Sequence, residues 1–140
     1  MNDADPHHPD IDVLFDNRQD MPVDEEDLTA LALRCLEGEG VKTGELSVSF
    51  VTPDEIEELH VRFMGEEGPT DVLSFPQDDK YLLGDVVICP EVAAENDPDV
   101  ESEIRMLLVH GILHLLGYDH EEDAERAQMW ARQEHYLEDE

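Results

Sequence analysis

The segment Val109-His110-Gly111-Ile112-Leu113-His114-Leu115-Leu116-Gly117-Tyr118-Asp119-His120 constrains this chain more than any other. Its apolar residues belong to one helical stripe, made by Ile104, Leu107, Leu108, Ile112, Leu115 and Leu116, and His110 and His114 are spare to that stripe. Residues four apart stand one above the other on a helix, so the two imidazoles can aim at one point. Gly117 supplies what the helix needs in order to stop, a residue that enters the left-handed region without a Cβ clash. The chain turns back there, and His120 can close a third corner. Three neutral imidazoles with an open fourth position describe a catalytic zinc site rather than a structural one, so one zinc per chain is expected on His110, His114 and His120. The competing reading is three unrelated histidines near a helix end, in a chain that has seven.

The same spacing is that of the metzincin proteases, where the residue after the first histidine is a glutamate that activates water. Here that residue is Gly111, which cannot take a proton, so a protease would lack its main catalytic group. The stretch resembles far more closely the YbeY family, bacterial rRNA maturation factors regarded as metal-dependent endoribonucleases. It matches the family signature His-Gly-x-Leu-His-Leu-x-Gly-Tyr-Asp-His at every specified position. Two further blocks carry the resemblance. Pro69-Thr70-Asp71-Val72-Leu73-Ser74-Phe75-Pro76 resembles the family's Pro-Thr-Asp-Val-Leu-Ser-Phe-Pro segment, and Gly84-Asp85-Val86-Val87-Ile88-Cys89 its Gly-Asp-(Val/Ile)-x-Ile-x strand. The blocks keep the family's order and cover about residues 45 to 138.

One position departs from the pattern. The family usually carries an arginine, thought to serve catalysis, just before the glycine that precedes the Thr-Asp-Val-Leu-Ser-Phe block. Met64 stands there, ahead of Gly65. Arg62 lies two residues earlier, about 200° away around a helix, and reaches the site only if the helix has already unwound. Otherwise it is an exposed surface arginine.

The resemblance implies a single-strand-specific, zinc-dependent endoribonuclease acting in 16S rRNA 3′ end maturation and ribosome quality control. Its partners would be single-stranded RNA, rRNA and the small ribosomal subunit with its proteins; no DNA is expected. It also implies that Ser74 and Asp85 line the cleft, against the plainer reading of a strand serine and a turn aspartate. Asp119, next to a ligand, either orients an imidazole through its N–H or caps the helix that follows at Glu121–Glu122. With three neutral ligands the metal keeps its double charge, which lowers the pKa of its water towards ~7. Two other classes of function stand beside this one. A zinc peptidase is disfavoured by Gly111. A ribosome-assembly factor with little catalysis is favoured by Met64 and by an acidic surface suited to a basic ribosomal protein.

That acidity is extreme: 38 acidic residues against eight basic ones give a formal charge of −30. RNA-binding proteins ordinarily present a basic patch, because phosphate contacts supply most of the affinity. The excess reads as a solvated coat suited to high salt, where the Debye length shrinks to roughly 3 Å at 1 M. The fold should then be measurably more stable to heat in molar KCl than in dilute buffer, and equal melting temperatures would remove the idea. The alternative is a groove that is locally neutral or positive, with the acid confined to helix faces and tails.

No apolar run approaches the ~20 residues that a membrane span requires, and the acidic amino terminus is no signal peptide, so a cytoplasmic protein is expected. Cys35 and Cys89 are too few for a disulfide framework and read as buried residues or free thiols. Residues 1–10 read as a flexible acidic tail, His7 and His8 included, and 11–138 as one domain of the endoribonuclease type. Strands are expected at Ile11–Phe15, Leu46–Phe50, Asp71–Phe75 and Gly84–Cys89, the last two joined through Gln77-Asp78-Asp79-Lys80. Helices are expected from Asp24 to Gly38, from Thr52 (with Glu55 completing a capping box) to Gly65, briefly from Pro90, from about Asp99 to Leu116, and from Glu121 to Leu137. The last holds Ala124, Ala127, Trp130, Ala131 and Glu134, and Trp130 is expected to anchor it on the domain rather than to serve as a base-stacking platform. Four strands with four to five helices make an α/β (α+β) layer fold, and the resemblance implies a small four-stranded mixed sheet packed with those helices, with a metzincin-like zinc helix beneath it.

Overall fold

Alternation in the strands and caps on the helices account for most of the architecture. The computed structural model describes residues 10–68, 70–77, 79, 81–118 and 123–138. Among these, the chain runs β1 (Asp10–Asn17), α1 (Glu25–Gly38), β2 (Thr43–Phe50), α2 (Pro53–Met64), β3 (Val72–Pro76), β4 (Leu82–Ile88), α3 (Pro90–Asn96), α4 (Val100–Leu115) and α5 (Asp123–Glu138). The four strands form one mixed sheet in the order β1-β2-β4-β3. β1 pairs β2 and β2 pairs β4 in parallel, while β3 returns antiparallel to β4 at the edge. Parallel neighbours need crossovers, which α1 supplies between β1 and β2, and α2 with β3 between β2 and β4.

The period-2 pattern splits the sheet into two differently covered faces. Leu46, Val48 and Phe50 of β2 with Val86 and Ile88 of β4 face the larger core, where α1, α4 and α5 pack, and Phe15 stacks on Phe50 at 5.9 Å. Val87 and Leu73 face the other way, into a smaller cluster with Val51, Ile56 and Cys89 under α2. Asp10 already belongs to β1, one residue inside the expected tail; residues 1–9 lie outside the described residues.

Helix starts follow the expected caps. Asp24 accepts from the Asp27 N–H at 3.1 Å, Asp99 from Ser102 at 3.2 Å and Thr52 from Glu55 at 3.3 Å. The capping box at Thr52 is only half made, because the Glu55 carboxylate turns to Arg18 instead.

The last helix corrects the sequence expectation. Trp130 is 55% exposed, and Ala124, Ala127, Ala131 and Glu134 are exposed with it; the inward face is Met129, Gln133 and Tyr136. Tyr136 sets this rotation. Its ring lies on the α carbon of Gly38, so tightly that a Cβ there would stand 2.5 Å from the tyrosine oxygen. Residues three and seven earlier share that face by helical period, and these are Gln133 and Met129. Cys35 and Cys89 are buried and free; burial above all pushes the Cys35 thiol up to about 12, and burial likewise raises Cys89, so neither is a reactive thiolate.

Candidate active site

Helix α4 carries the site because it is apolar on nearly every side. Ile104, Leu107, Leu108, Val109, Ile112 and Leu113 are all buried, as expected of a helix running through the core between a sheet and other helices. At roughly 1.5–3 kcal/mol for each fully buried aliphatic side chain, this helix is among the most firmly held parts of the fold. The end of α4 is a Schellman turn: Tyr118 N–H bonds to Leu113 O at 3.0 Å, Gly117 N–H to His114 O at 3.1 Å, and Gly117 has φ 103°. The glycine stop read from the sequence is therefore observed.

His110 and His114 project from α4 one turn apart and half-buried, their rings edge to face with centroids 4.7 Å apart and 77° between planes. Nδ1 of His110 meets Oε1 of Gln133 from α5 at 3.0 Å. The donor chemistry and the one-face placement of the pair fit a divalent ion that takes nitrogen ligands. His120 and Asp119 lie outside the described residues, and among the described residues no group of three or more possible ligands is gathered.

Gly111, between the histidines, is where α4 touches the sheet. A Cβ on it would stand 2.7 Å from Val86 Cγ1 and 3.2 Å from Ser74 Oγ. The Ser74 hydroxyl donates to the Gly111 carbonyl at 3.1 Å, tying edge strand β3 to helix α4. Ser74 thus meets α4 at Gly111, on the strand face turned toward that helix. Asp85 does not: it pairs with Phe75 in the register where Ser74 pairs with Val86, so it points to the opposite face. There it receives a 3.4 Å hydrogen bond from Gln77 and lines a groove of about 330 Å³ with Ser49, Val87, Phe75 and Phe63. The two positions expected to share one cleft are separated by the sheet.

Helix α2 stays wound through Met64 and ends at Gly65, whose φ is 69°. Arg62 is consequently on the helix surface, 62% exposed and 4.0 Å from Glu58, and Met64 is 47% exposed. The unwinding that would let Arg62 swing round is absent. Three other arginines are engaged in ion pairs: Arg18 with Asp16 and Glu55, Arg105 with Asp27, and Arg132 with Glu39.

A polar cluster that sequence reasoning missed ties the end of α1 to α5 and to the turn after α4. Glu39, at the end of α1 with a side chain 9% exposed, accepts from Tyr118 at 2.7 Å, from Arg132 Nε at 2.9 Å and from Tyr136. Burial alone would raise the Glu39 carboxyl, but the hydrogen bonds from Tyr136, Tyr118 and Arg132 outweigh it and hold the carboxyl below its usual value. One carboxylate thereby joins α1, the loop that leaves α4 and helix α5.

The chain has matches among known proteins. The family model described as Endoribonuclease YbeY matches residues 14–139. The chain belongs to the YbeY family. A protein named Endoribonuclease YbeY from Frankia casuarinae is 48% identical over 134 residues, covering 82% of this chain and 67% of that one. Another of that name, from Thermobifida fusca, is 45% identical over 143 residues, with 91% of each covered. The solution structure of TM1509 from Thermotoga maritima superposes with a TM-score of 0.63 at 34% identity, covering 91% of this chain and 87% of that one. The YbeY resemblance read from three blocks thus extends from within β1 to the end of α5. Among the described residues no helix is long and apolar enough to cross a membrane.

Proposed function

We propose that this YbeY-family chain is an endoribonuclease: a zinc-dependent enzyme, specific for single-stranded RNA, that hydrolyses phosphodiesters in 16S rRNA 3′ end maturation and ribosome quality control. The observation that carries the reading is the pair His110 and His114, side by side one turn apart on the buried helix of a chain whose family relatives bear the endoribonuclease name. His110, His114 and His120 would hold one zinc ion, and residues 11–138 would act as a single domain at the small ribosomal subunit in the cytoplasm. Bound there, zinc supplies Lewis acidity toward a phosphodiester oxygen and a lowered water pKa.

The chain's own residues supply position. Gly111 lets α4 lie against β4, Ser74 fixes β3 to the same turn, and the Schellman turn at Gly117 redirects the chain immediately after His114. Nothing at Met64 or Arg62 delivers a cation to the histidine pair, so charge on the scissile phosphate must be balanced without the arginine common in the family. Asp119 is assigned to orientation of an imidazole or to capping of α5, Ser74 to the wall beside the site, and Asp85 to the opposite face.

A second reading is an assembly factor that binds ribosomal partners with little catalysis. It is favoured by the pairing of Arg18, Arg105 and Arg132 with carboxylates, which partly neutralises those cations toward an RNA phosphate.

The test is cleavage of a labelled single-stranded RNA in molar salt by zinc-loaded wild type and by His114→Ala. Cleavage by wild type with loss in the variant is expected. Equal cleavage by both would move the chemistry away from the histidines. No cleavage by either, with zinc present in the wild type, would favour the assembly factor.

A further inference from the structure

Gln133 is the polar side chain, among the described residues, that the fold buries most completely, at 5% exposure, and it stands in an otherwise apolar face between Met129 and Tyr136. A primary amide is a costly choice there. Burying one without partners costs on the order of 1–3 kcal/mol, whereas leucine or methionine would pack at no such cost. The amide oxygen has a partner: Oε1 lies 3.0 Å from His110 Nδ1. An amide oxygen only accepts, so the proton of the neutral imidazole resides on Nδ1 and the lone pair on Nε2.

We propose that Gln133 is a positioning residue for the metal: it sets the tautomer and ring orientation of His110, so that helix α5 completes a site whose helical ligands come from α4. The inference rests on the reading of His110 and His114 as ligands. Ligating histidines characteristically donate their second ring N–H to a fixed oxygen, and loss of that oxygen weakens metal binding. Here the oxygen is fixed from both sides along α5. Arg132 and Tyr136 hold Glu39, and the Tyr136 carbonyl accepts from Arg34 Nη2 at 2.9 Å. The His110 ring is thus held between Gln133 and the edge-to-face His114 ring.

The role is tested by zinc affinity, measured by competition with a chromophoric chelator on the full chain. The proteins compared are wild type, Gln133→Met, Gln133→Glu and His114→Ala. Methionine keeps the volume and removes the acceptor, so Gln133→Met should melt near the wild-type temperature without zinc yet bind zinc about 10–100-fold more weakly. Glutamate restores an acceptor, and a stronger one, so Gln133→Glu should bind at least as tightly as wild type. Nitrogen NMR of the zinc-free protein should show the Nδ1–H tautomer of His110 in wild type and a mixture in Gln133→Met. Wild-type zinc affinity in Gln133→Met, with zinc binding lost in His114→Ala, would overturn the role of Gln133 while leaving the ligands in place. Wild-type affinity in His114→Ala as well would remove the ligand reading beneath it.

Discussion

Gly111→Glu, the substitution that would supply the protease's missing base, should yield no folded protein, and Gly111→Ala should be destabilised by about 1–2 kcal/mol. The alanine methyl would stand 2.7 Å from Val86 Cγ1. Val86 is a fully buried, β-branched residue on a central strand, with one stiff rotamer and no space to retreat. Overpacking of this kind typically costs about 1–3 kcal/mol, while alanine recovers up to ~1 kcal/mol of helix propensity over glycine. Glutamate adds further atoms and a charge to the same dry contact, which exceeds what a domain with roughly 5–15 kcal/mol of stability can absorb. Chemical denaturation of Gly111→Ala, Val86→Ala and the double variant makes the check. The double variant should be more stable than the sum of the single losses, because the smaller side chain at 86 makes room for the methyl. Strict additivity would mean that α4 does not bear on β4 at this point. The same contact explains why a glutamate, the base of the peptidase pattern, has no room at this position.

The second large effect is expected at Glu39. Removing its carboxylate in Glu39→Ala strips an acceptor from Tyr118, Arg132 and Tyr136 together. Each buried donor left unsatisfied costs about 1–3 kcal/mol, but Arg132 is 36% exposed and can turn to water, so a total loss of about 2–4 kcal/mol is expected. That corresponds to a fall in Tm of roughly 10 °C. The linkage has a definite sign. The folded-state carboxyl sits below the ordinary 4.5, so this contribution is present at neutral pH and is lost as the pH falls through the folded value. Glu39→Gln should therefore be less stable than wild type at pH 7, and the gap should narrow in acid. A constant difference between pH 7 and pH 3 would show that the cluster does not depend on the ionised form.

Much of this was legible in the residues. Every strand and helix was placed to within a few positions, because alternation, caps and the glycine stops at Gly65 and Gly117 act locally. The histidine pair was legible for the same reason: one helical turn is a short-range rule. What escaped reading depends on contacts distant in sequence. The rotation of α5 follows from a tyrosine ring meeting Gly38 across the core, which no periodicity within α5 encodes, and so Trp130 looked like the anchor. The signal that was there, Met129, Gln133 and Tyr136 on one helical face, was hidden by the glutamine, which reads as a surface residue until its partner is known. Gly111 was read as a missing base, when its larger role is the close approach of two elements. Ser74 and Asp85 fall on opposite faces through the antiparallel register of β3 on β4, which neither strand encodes by itself.

The topology also sets an order in time. A chain emerges from synthesis amino end first, and α5 follows α4. The histidine pair on α4 therefore exists as sequence, and can form as helix, before Gln133, Arg132 and Tyr136 have been made. Until they arrive, Glu39 and Tyr118 lack two of the donors and packing partners that close the cluster, and His110 lacks the oxygen that selects its tautomer. The chain is thus born on the ribosome with the partners of His110 and Glu39 still to be made, and the cluster closes only after its final helix has docked.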